Sequence, residues 1–396
     1  MPASPAGASG PLVDEVTTAA YTVPTDAPEA DGTLAWDSTT LVVVHVRSGT
    51  TTGLGYTYGA PVTAHVVDDQ LSAVVVGRCA LDVPAANEAM NRAVRNAGRP
   101  GLVAGALNEA MNRAVRNAGR PGLVAGALSA VDTALWDLKA RLLELPLVRL
   151  LGAARPEVPV YGSGGFTTYD VRRQDHQLRG WVADQGIPRV KIKIAESWGT
   201  AESRDRRRIA QARHSIGEAA ELYVDANGGY TRKQAIRLDS YLMEHQVTWF
   251  EEPVSSDDLT GLAQIRAATA VDVAAGEYGY TLPYFRQLLG AEAVDCVQAD
   301  ITRCGGLTVW LRVAALAQAS GMEISGHCAP HLHAHAAAAV PNLRHLEWFH
   351  DHVRIENRLF HGTLDPTGGA VRPGTDGAPG HGLSLRDEEA EPYRVG

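Results

Sequence analysis

Eight short apolar segments recur between residues 158 and 349, and the stretches between them have the apolar spacing of helices. The segments are VPVYGS (158–163), RVKIKI (189–194), LYVDAN (222–227), VTWFEE (247–252), VDVAAGE (271–277), DCVQAD (295–300), MEISGH (322–327) and RHLEWF (344–349). Strands that alternate with helices predict a parallel sheet, and eight such units predict a closed TIM-type barrel. A doubly wound open sheet is the alternative, but no glycine-rich phosphate turn follows the first segment.

The first 150 residues have a different pattern, with strands before helices. LVVVHVRS (41–48) and LSAVVVG (71–77) are rich in β-branched residues and predict strands. The segment 129–144 has helical spacing and a serine cap, so it predicts a helix. Proline, aspartate and glycine are frequent in residues 21–38, which predicts a mobile loop. The pattern favours an α+β domain over residues 1–150, followed by the barrel over residues 151–360.

A tandem repeat interrupts the N-terminal part. Residues 87–107 and 108–128 are identical over 21 positions, with the sequence NEAMNRAVRNAGRPGLVAGAL. Solenoid repeats recur many times and diverge, so a recent duplication or an assembly error explains the pair better. Each copy is typical of a helix end, a turn and a helix start. We expect an extra helical segment, over about residues 101–117, that bulges from the N-terminal domain rather than entering the barrel.

Composition places the chain among globular proteins. It has 396 residues, of which 45% are apolar and 20% charged, with a net charge of -9. This acidic balance argues against a nucleic-acid-binding protein, and the arginine-rich run 204–208 is typical of a solvated helix face. The four cysteines include no CxxC pair, which favours reduced thiols and a cytoplasmic location. No signal peptide or membrane-spanning segment is expected.

Ionisable side chains stand at the ends of seven predicted strands. They are Lys193, Asp225, Glu251, Glu277, Asp300, His327 and Glu347. Active sites of TIM-type barrels lie at the carboxyl ends of the strands. Seven such residues in register are hard to explain as surface decoration, so the sequence predicts a catalytic centre there.

Three of these residues form an acidic set. Asp225, Glu251 and Glu277 follow each other at intervals of 26 residues and end three neighbouring strands. Converging carboxylates repel each other unless a cation lies between them, and oxygen ligands favour Mg²⁺, with Mn²⁺ as a substitute. Solvated strand-end acids or helix caps are the alternative, and they are more plausible for one residue than for three.

Lysine and histidine residues complete the predicted chemistry. Lys191 and Lys193 lie two apart on one strand and point to the same side, so each should lower the pKa of the other and favour a base near neutral pH. His327 and Asp300 end adjacent strands, within hydrogen-bond reach of each other. The nearby His331, His333 and His335 resemble a metal cluster, but we expect structural roles for them because the carboxylates already account for a metal.

The motifs VKIKI, VDANGGY, FEEP, AGE, QADITRCGG, SGH and HLEWF resemble the mandelate-racemase-like subgroup of the enolase superfamily. The resemblance covers about residues 11–390, apart from the second repeat copy. It implies a modified barrel, (β/α)7β, with an α+β capping domain from residues 1–150 that the C-terminal segment 361–396 completes. It also implies that residues 21–38 close over the site and select the substrate.

The resemblance further implies a role for each matched residue. Asp225, Glu251 and Glu277 would hold Mg²⁺, with Glu251 rather than Glu252 as the ligand. Lys193 would be the base on one face of the substrate, and His327 with Asp300 would be the acid or base on the other. The remaining matches would contact the substrate or its carboxylate: Lys191, Glu347, Ser163 and Asn227.

The shared first step leaves the product open. A base on each face allows racemisation or epimerisation, whereas a β-hydroxyl protonated by His327 would leave as water and give a 2-keto-3-deoxy acid. We favour dehydration of an acid sugar, by analogy with resembling enzymes and because the polar His331, His333 and His335 and the Asp- and Thr-bearing loop suit a polyhydroxylated substrate. A non-catalytic barrel, or an enzyme disabled by the repeat, is the alternative of another class. We expect a small-molecule carboxylate substrate and a homo-oligomer, with neither nucleic acid nor membrane as a partner.

Overall fold

The computed structural model describes residues 10–94 and 122–395. Near the N-terminus of this part of the chain lies a three-stranded antiparallel sheet. Its strands are β1 (Glu15–Ala30), β2 (Ala35–Ser48) and β3 (Thr51–Tyr58). The loop predicted over residues 21–38 is therefore wrong: β1 and β2 form a long hairpin that turns at residues 31–34. Pro24 is tolerated because β1 is an edge strand, and the pairing register shifts between Pro24 and Glu29. We call residues 15–48 the capping hairpin.

Helices cover one face of this sheet. They are α1 (Val62–Val66), α2 (Ser72–Val75), α3 (Val83–Ala93), α4 (Gly122–Leu142) and α5 (Leu147–Leu151), with a π-helical turn (Val67–Leu71) between α1 and α2. The strand predicted over residues 71–77 is wrong. Val67, Leu71 and Val75 recur every four residues, and their side chains are buried in the same apolar cluster as α4. The helical spacing of these buried residues therefore outweighs the β-propensity of the valines.

The longest helix of the N-terminal part, α4, includes most of the helix predicted over residues 129–144 and lies against β3. Gly53 and Gly55 permit this approach, since a Cβ at either position would fall 2.2 or 2.1 Å from a carbonyl oxygen of α4. Helix α3 contains residues 87–93 of the first repeat copy, and α4 contains residues 122–128 of the second. The predicted extra segment, residues 101–117, lies outside the described residues.

Eight parallel strands form the barrel predicted from the sequence. They are β4 (Val158–Gly164), β5 (Arg189–Lys193), β6 (Glu221–Asp225), β7 (Val247–Glu251), β8 (Asp272–Ala275), β9 (Cys296–Ala299), β10 (Glu323–Gly326) and β11 (Leu343–Phe349). Neighbours in sequence are neighbours in the sheet, and β11 pairs with β4, which closes the barrel.

A helix follows each strand. The helices are α6 (Val171–Arg179), α7 (Glu202–Ile216), α8 (Arg232–Glu244), α9 (Leu259–Ala268), α10 (Leu282–Gly290), α11 (Gly306–Ala319), α12 (Pro330–Ala338) and α13 (His350–Leu359), and a π-helical turn (Gly180–Asp184) extends α6. None of the helices in the described ranges has the length and apolar character needed to cross a bilayer.

Alternation along each strand separates the packing core from the barrel interior. Val190, Ile192, Val224 and Phe250 point outward and are fully buried within the main apolar core. The intervening positions point inward, where Tyr161, Tyr223, Trp249 and His345 pack ring against ring at centroid distances of 4.7–5.6 Å. Tyr223 and Trp249 each lie two residues before a predicted metal ligand, so this aromatic layer fills the barrel directly below the carboxylates.

The C-terminal segment returns to the N-terminal sheet. It contains the short elements β12 (Phe360–His361), β13 (Ala370–Val371), β14 (Ser384–Leu385), α14 (Asp387–Ala390) and a 3₁₀ turn (Glu391–Tyr393). The Val395 amide donates to the Ala20 carbonyl, and a β-bridge joins Tyr21 to Arg394. The C-terminal segment therefore completes the N-terminal α+β unit, as the resemblance implied. The domain boundaries at residues 150 and 360 stay predictions.

We expect the Asp137→Ala variant to be less stable by about 3 kcal/mol, because its carboxylate is fully buried and satisfies three donors at once. It accepts from the Leu54 amide of β3 at 2.8 Å, the His381 amide of the C-terminal segment at 2.8 Å and Arg141 Nε at 2.6 Å. Urea unfolding measures the loss, and Glu218→Ala on the surface is the control. Equal midpoints for both variants would contradict this role.

Candidate active site

Three carboxylates converge at the mouth of the barrel. Asp225 and Glu251 end β6 and β7, and Glu277 follows β8, so backbone register alone brings them together. One oxygen from each lies within 4.8 Å of the others, and all three side chains are buried. Glu277 Oε2 faces His327 Nε2 at 3.0 Å, and a carboxylate oxygen has a second lone pair to offer a cation. A buried set of oxygen ligands with a spare lone pair fits a hard divalent cation.

The two lysines of β5 contact this carboxylate set. Lys191 Nζ lies 2.5 Å from Glu251 Oε1 and 2.7 Å from Glu347 Oε1, and Lys193 Nζ is paired with Asp225 Oδ2. Burial lowers the pKa of Lys193, and Lys191 lowers it too, but Asp225, Glu347 and Glu277 together raise it above its ordinary value. Glu251 and Glu347 likewise raise the pKa of Lys191. The sequence predicted that the lysines lower each other's pKa; Lys191 does lower that of Lys193, but the acids raise the pKa of both lysines overall.

His327 lies at the other end of the carboxylate set. Its Nδ1 is 2.8 Å from Asp300 Oδ2, and its Nε2 is 3.0 Å from Glu277 Oε2. Thr302 donates its amide and hydroxyl to Asp300 Oδ1, each at 2.7 Å, which fixes the carboxylate. Burial opposes protonation of His327, but the surrounding negative groups, Glu277 among them, raise its pKa well above the ordinary value. Asp300 thus orients the ring and leaves Nε2 facing the site.

Glu347 connects the two halves of the site. Its Oε1 accepts from Ser163 Oγ at 2.6 Å and faces Lys191, while its Oε2 accepts from the Cys328 amide at 3.1 Å. Burial opposes its ionisation, but Lys191 and then His327 lower the pKa of Glu347 below the ordinary value. The last residue matched from the sequence, Asn227, has a positive φ of 44° and donates its amide to Asp225 Oδ1 at 2.8 Å. The structure therefore brings together every predicted site residue.

A cavity of about 310 Å³ opens above these groups. Its floor includes Lys193, Asn227, Glu277 and His327, and Arg303 and Tyr278 form part of its wall. The capping hairpin supplies part of the remaining lining: Asp31, Leu34, Trp36, Ser38, Thr39 and Thr40. Residues 21–38 were expected to cover the site, and they do contribute to its roof, although as a hairpin.

Several cavity residues were not identified from the sequence. Arg303 Nε lies 3.3 Å from Asp300 Oδ2 and its Nη1 lies 3.6 Å from Glu277 Oε1, so it supports both carboxylates. Cys328 Sγ lies 3.3 Å from His327 Nε2 and 3.3 Å from Glu347 Oε2. Their positions in the sequence could have indicated that they lie near the site, because Arg303 is three residues after Asp300 and Cys328 directly follows His327.

The three neighbouring histidines have structural contacts. The Ile301 amide donates to His333 Nε2 at 2.9 Å, the Val148 amide to His335 Nδ1 at 3.2 Å and the Leu364 amide to His331 Nδ1 at 3.0 Å. None of the three lines the cavity. Their expected structural role agrees with these contacts, but their use as an argument for a polyhydroxylated substrate was wrong.

One wall of the cavity is joined to the sheet by a buried polar cluster. Tyr58 stacks on His352 at a centroid distance of 3.4 Å, and its hydroxyl donates to Glu356 Oε1 at 3.0 Å. Burial, opposed by the hydrogen bond from Tyr58, raises the pKa of Glu356 to about 8. Tyr58 and His352 both line the cavity, so the protonation of Glu356 is coupled to the packing of this wall.

Two family descriptions match this chain. Residues 15–152 match the mandelate racemase / muconate lactonizing enzyme N-terminal domain, and residues 174–390 match the enolase C-terminal domain-like family. A solved mandelate racemase/muconate lactonizing enzyme-like protein from Rubrobacter xylanophilus is 48% identical, with a TM-score of 0.88 over 97% of this chain and 100% of that one. A racemase from Streptomyces coelicolor A3(2), solved with bound magnesium, is 30% identical, with a TM-score of 0.85 over 97% and 100%.

Two curated relatives differ in their reactions. An L-talarate/galactarate dehydratase from Salmonella typhimurium is 36% identical over 243 residues, which are 60% of this chain and 58% of that protein. A 3,6-anhydro-alpha-L-galactonate cycloisomerase from Streptomyces coelicolor is 31% identical over 342 residues, which are 85% and 88%. The chain thus matches little more than half the length of the dehydratase. Because the similar proteins catalyse different reactions, sequence similarity does not decide between dehydration and the other reactions.

We expect Mg²⁺ to raise the melting temperature of the parent protein and not that of Glu251→Gln. At about 100 times its dissociation constant, a ligand of the folded state adds about 2.7 kcal/mol of stability. The variant keeps the shape of the side chain but removes one of three charged ligands. The exposed Glu218→Gln is the control and should respond like the parent. An unchanged Mg²⁺ shift in Glu251→Gln would exclude this carboxylate as a ligand.

We expect Glu356→Gln to flatten part of the dependence of stability on pH. Because the folded state raises the pKa of this carboxyl to about 8, its contribution is full below the unfolded value, near 4.3, and is lost as pH rises towards 8. Relative to the parent, the variant should gain about 4 kcal/mol between pH 5 and pH 9. Urea unfolding at both pH values tests this, with the exposed Glu389→Gln as control. A parallel loss in Glu356→Gln would refute the assignment.

Proposed function

Since the chain belongs to the mandelate racemase/muconate lactonizing enzyme family of the enolase superfamily, we propose that it removes the proton next to a substrate carboxylate and then eliminates water from an acid sugar. The observation that carries this proposal is the position of two proton-transfer groups at opposite ends of one carboxylate set. Lys193 contacts Asp225, and His327 contacts Glu277. Both line the same cavity, from strands three places apart around the barrel.

The proposed reaction starts at Lys193. Its neutral amine takes the proton from the carbon beside the carboxylate, and negative charge builds on the carboxylate oxygens. Lys191 stabilises that charge as a buried cation, and Glu347 holds Lys191 in place as its ion-pair partner. His327 then gives its Nε2 proton to the β-hydroxyl, which leaves as water, and the enol that remains becomes a 2-keto-3-deoxy acid. Asp300 keeps the imidazole oriented throughout.

Asp225, Glu251 and Glu277 would hold Mg²⁺, with Mn²⁺ as a possible substitute. A bound divalent cation would supply positive charge where the carboxylate oxygens become doubly negative, and it would weaken the hold of Asp225 on the Lys193 proton. Without such a cation the acids raise the pKa of Lys193, which is the wrong direction for a base. The residues present therefore fit both the metal and its purpose.

An acid sugar suits the lining of the cavity. The hairpin contributes the hydroxyls of Ser38, Thr39 and Thr40, and Arg303 stands on the wall with its guanidinium. Such groups match the hydroxyls of a sugar acid better than they match an aromatic ring. Ser163 and Asn227 would lie beside the substrate. We further propose a cytoplasmic homo-oligomer, in line with the reduced cysteines.

Racemisation or epimerisation of a 2-hydroxy acid is the second candidate. The same two groups on opposite faces would serve it, because one removes a proton and the other returns one. The similar Streptomyces coelicolor A3(2) structure is named a racemase. The two reactions differ in whether water is lost.

Proton NMR in D₂O with Mg²⁺, over mono- and diacid sugars and mandelate-like 2-hydroxy acids, tests the proposal. Loss of substrate with a new 2-keto-3-deoxy product is the expected result. Exchange of the α-proton with inversion and no loss of water would instead establish a racemase or epimerase. No change across a panel that includes galactarate, talarate, gluconate and arabinonate would count against an acid sugar dehydratase.

We expect Lys193→Ala and His327→Asn to separate the two proton transfers. Loss of the base should slow both deuterium exchange and product formation at least about a hundredfold. Loss of the acid should stop water elimination while Lys193 still exchanges the α-proton. Lys233→Ala, on the exposed face of α8, is the matched control. Exchange that survives in Lys193→Ala and disappears in His327→Asn would reverse the assigned roles.

A further inference from the structure

A second group of metal-ligating side chains lies between the capping hairpin and the barrel. Asp26 and Glu29 belong to β1, and His350 is the first residue of α13. One ligand atom from each lies within 4.8 Å of the others. These residues share no member with the carboxylate set in the barrel and take no part in the proposed reaction.

The key feature of this group is a buried carboxylate oxygen without a donor. Glu29 is fully buried, and its Oε2 accepts from Trp36 Nε1 at 3.0 Å. Its Oε1 has no hydrogen-bond partner among the described residues and faces His350 Nε2 at 4.0 Å. An unpaired buried oxygen of this kind is costly and needs an explanation.

The neighbouring charges do not satisfy Glu29. Arg173 lies 3.1 Å from Asp26, and Arg354 lies 2.6 Å from Asp351, so both arginines pair with other carboxylates. Burial, and then Asp351 and Asp26, raises the pKa of Glu29 to about 9. His350 Nε2 lies 3.3 Å from Asp26 Oδ2. Arg173 and Arg354 thus pair with Asp26 and Asp351, and no donor among the described residues reaches Glu29 Oε1.

We propose that Asp26, Glu29 and His350 form a second cation site that takes Zn²⁺ in preference to Mg²⁺. Two carboxylate oxygens and one imidazole nitrogen are a zinc ligand set, and the partly exposed Asp26 leaves a fourth position open to water. The all-oxygen set in the barrel has the opposite preference. The two sites would thus discriminate between a hard and a borderline cation.

The site would fasten the roof of the cavity. Glu29 holds Trp36, which lines the cavity and packs edge-on against Phe166 at 5.5 Å. His350 directly follows Phe349, another cavity residue that packs on Phe166. A cation joining Glu29 to His350 would therefore tie the hairpin to the end of β11, next to the substrate.

Equilibrium dialysis with Zn²⁺, in the presence of saturating Mg²⁺, tests the proposal on the full chain. The parent should retain one zinc ion, and His350→Gln and Asp26→Asn should bind it at least about tenfold more weakly. The exposed His176→Gln is the matched control. Cys328→Ser should also retain zinc, since His327, Cys328 and Glu347 form another possible ligand group in the catalytic site.

Three outcomes would overturn the proposal: no zinc retained by the parent, equal retention by His350→Gln, or a zinc ion lost only from Cys328→Ser. Tryptophan fluorescence gives a second readout, because zinc at Glu29 should change the emission of the parent and not of Trp36→Phe. Asp26→Asn guards against misfolding, since its side chain is partly exposed and keeps its shape. Neither measurement depends on turnover, so failure here is distinct from failure of the proposed reaction.

Discussion

Buried negative charge at the mouth of the barrel is the constraint on which the rest of the site depends. Asp225, Glu251, Glu277, Asp300 and Glu347 are all buried there, and basic side chains face them: Lys191, Lys193, Arg303 and His327. The proposed reaction needs Lys193 neutral and His327 protonated, so five ionised carboxylates would then face three cations, and one divalent cation would neutralise the two charges left over. Carboxylates packed this closely stay ionised only when each one has a neighbouring cation or several hydrogen-bond donors. Nearly every polar contact described for the site supplies one or the other.

The same requirement explains why the chemistry is carried by the strands. Each predicted site residue lies within two residues of the carboxyl end of a strand, so the closed hydrogen-bond ladder fixes the position of its backbone. Below them the layer of Tyr161, Tyr223, Trp249 and His345 fills the barrel and excludes water. Tyr161 lies within 3.5 Å of Lys191 Nζ, and Trp249 donates to Glu251 Oε2 at 2.9 Å. The core therefore orients the site as well as supporting it.

The barrel and the site could be predicted from the sequence because both depend on local periodicity. Inward and outward residues alternate in VKIK and YVD, and ionisable residues lie near the ends of most strands. Once the order of the strands in the barrel is known, these residues are expected to meet at one end of it. The capping part was harder. Residues 71–77 have β-branched composition but pack at helical spacing, and residues 21–38 contain turn formers yet pair as an edge hairpin. In both, contacts with distant residues decide the structure, and a single sequence does not display them. Arg303 was not predicted as a site residue, because its place in the site depends on ion pairs with Asp300 and Glu277, which follow different strands.

The repeat and the hairpin bear on the cavity in different ways. Asn87, in the first copy, donates to Asp132 of α4 at 2.7 Å and to the Gly305 carbonyl at 3.1 Å, beside the loop that carries Arg303. Asp132 in turn accepts from the Thr308 amide at 2.9 Å. The described start of the repeat is thus anchored to the barrel through a buried hydrogen bond. The hairpin instead contributes the polar roof, and it contacts the barrel beside the cavity, where Trp36 packs on Phe166 and Thr39 donates to Asp351. Selectivity should therefore change with the hairpin, whereas the proton chemistry is fixed by the strands.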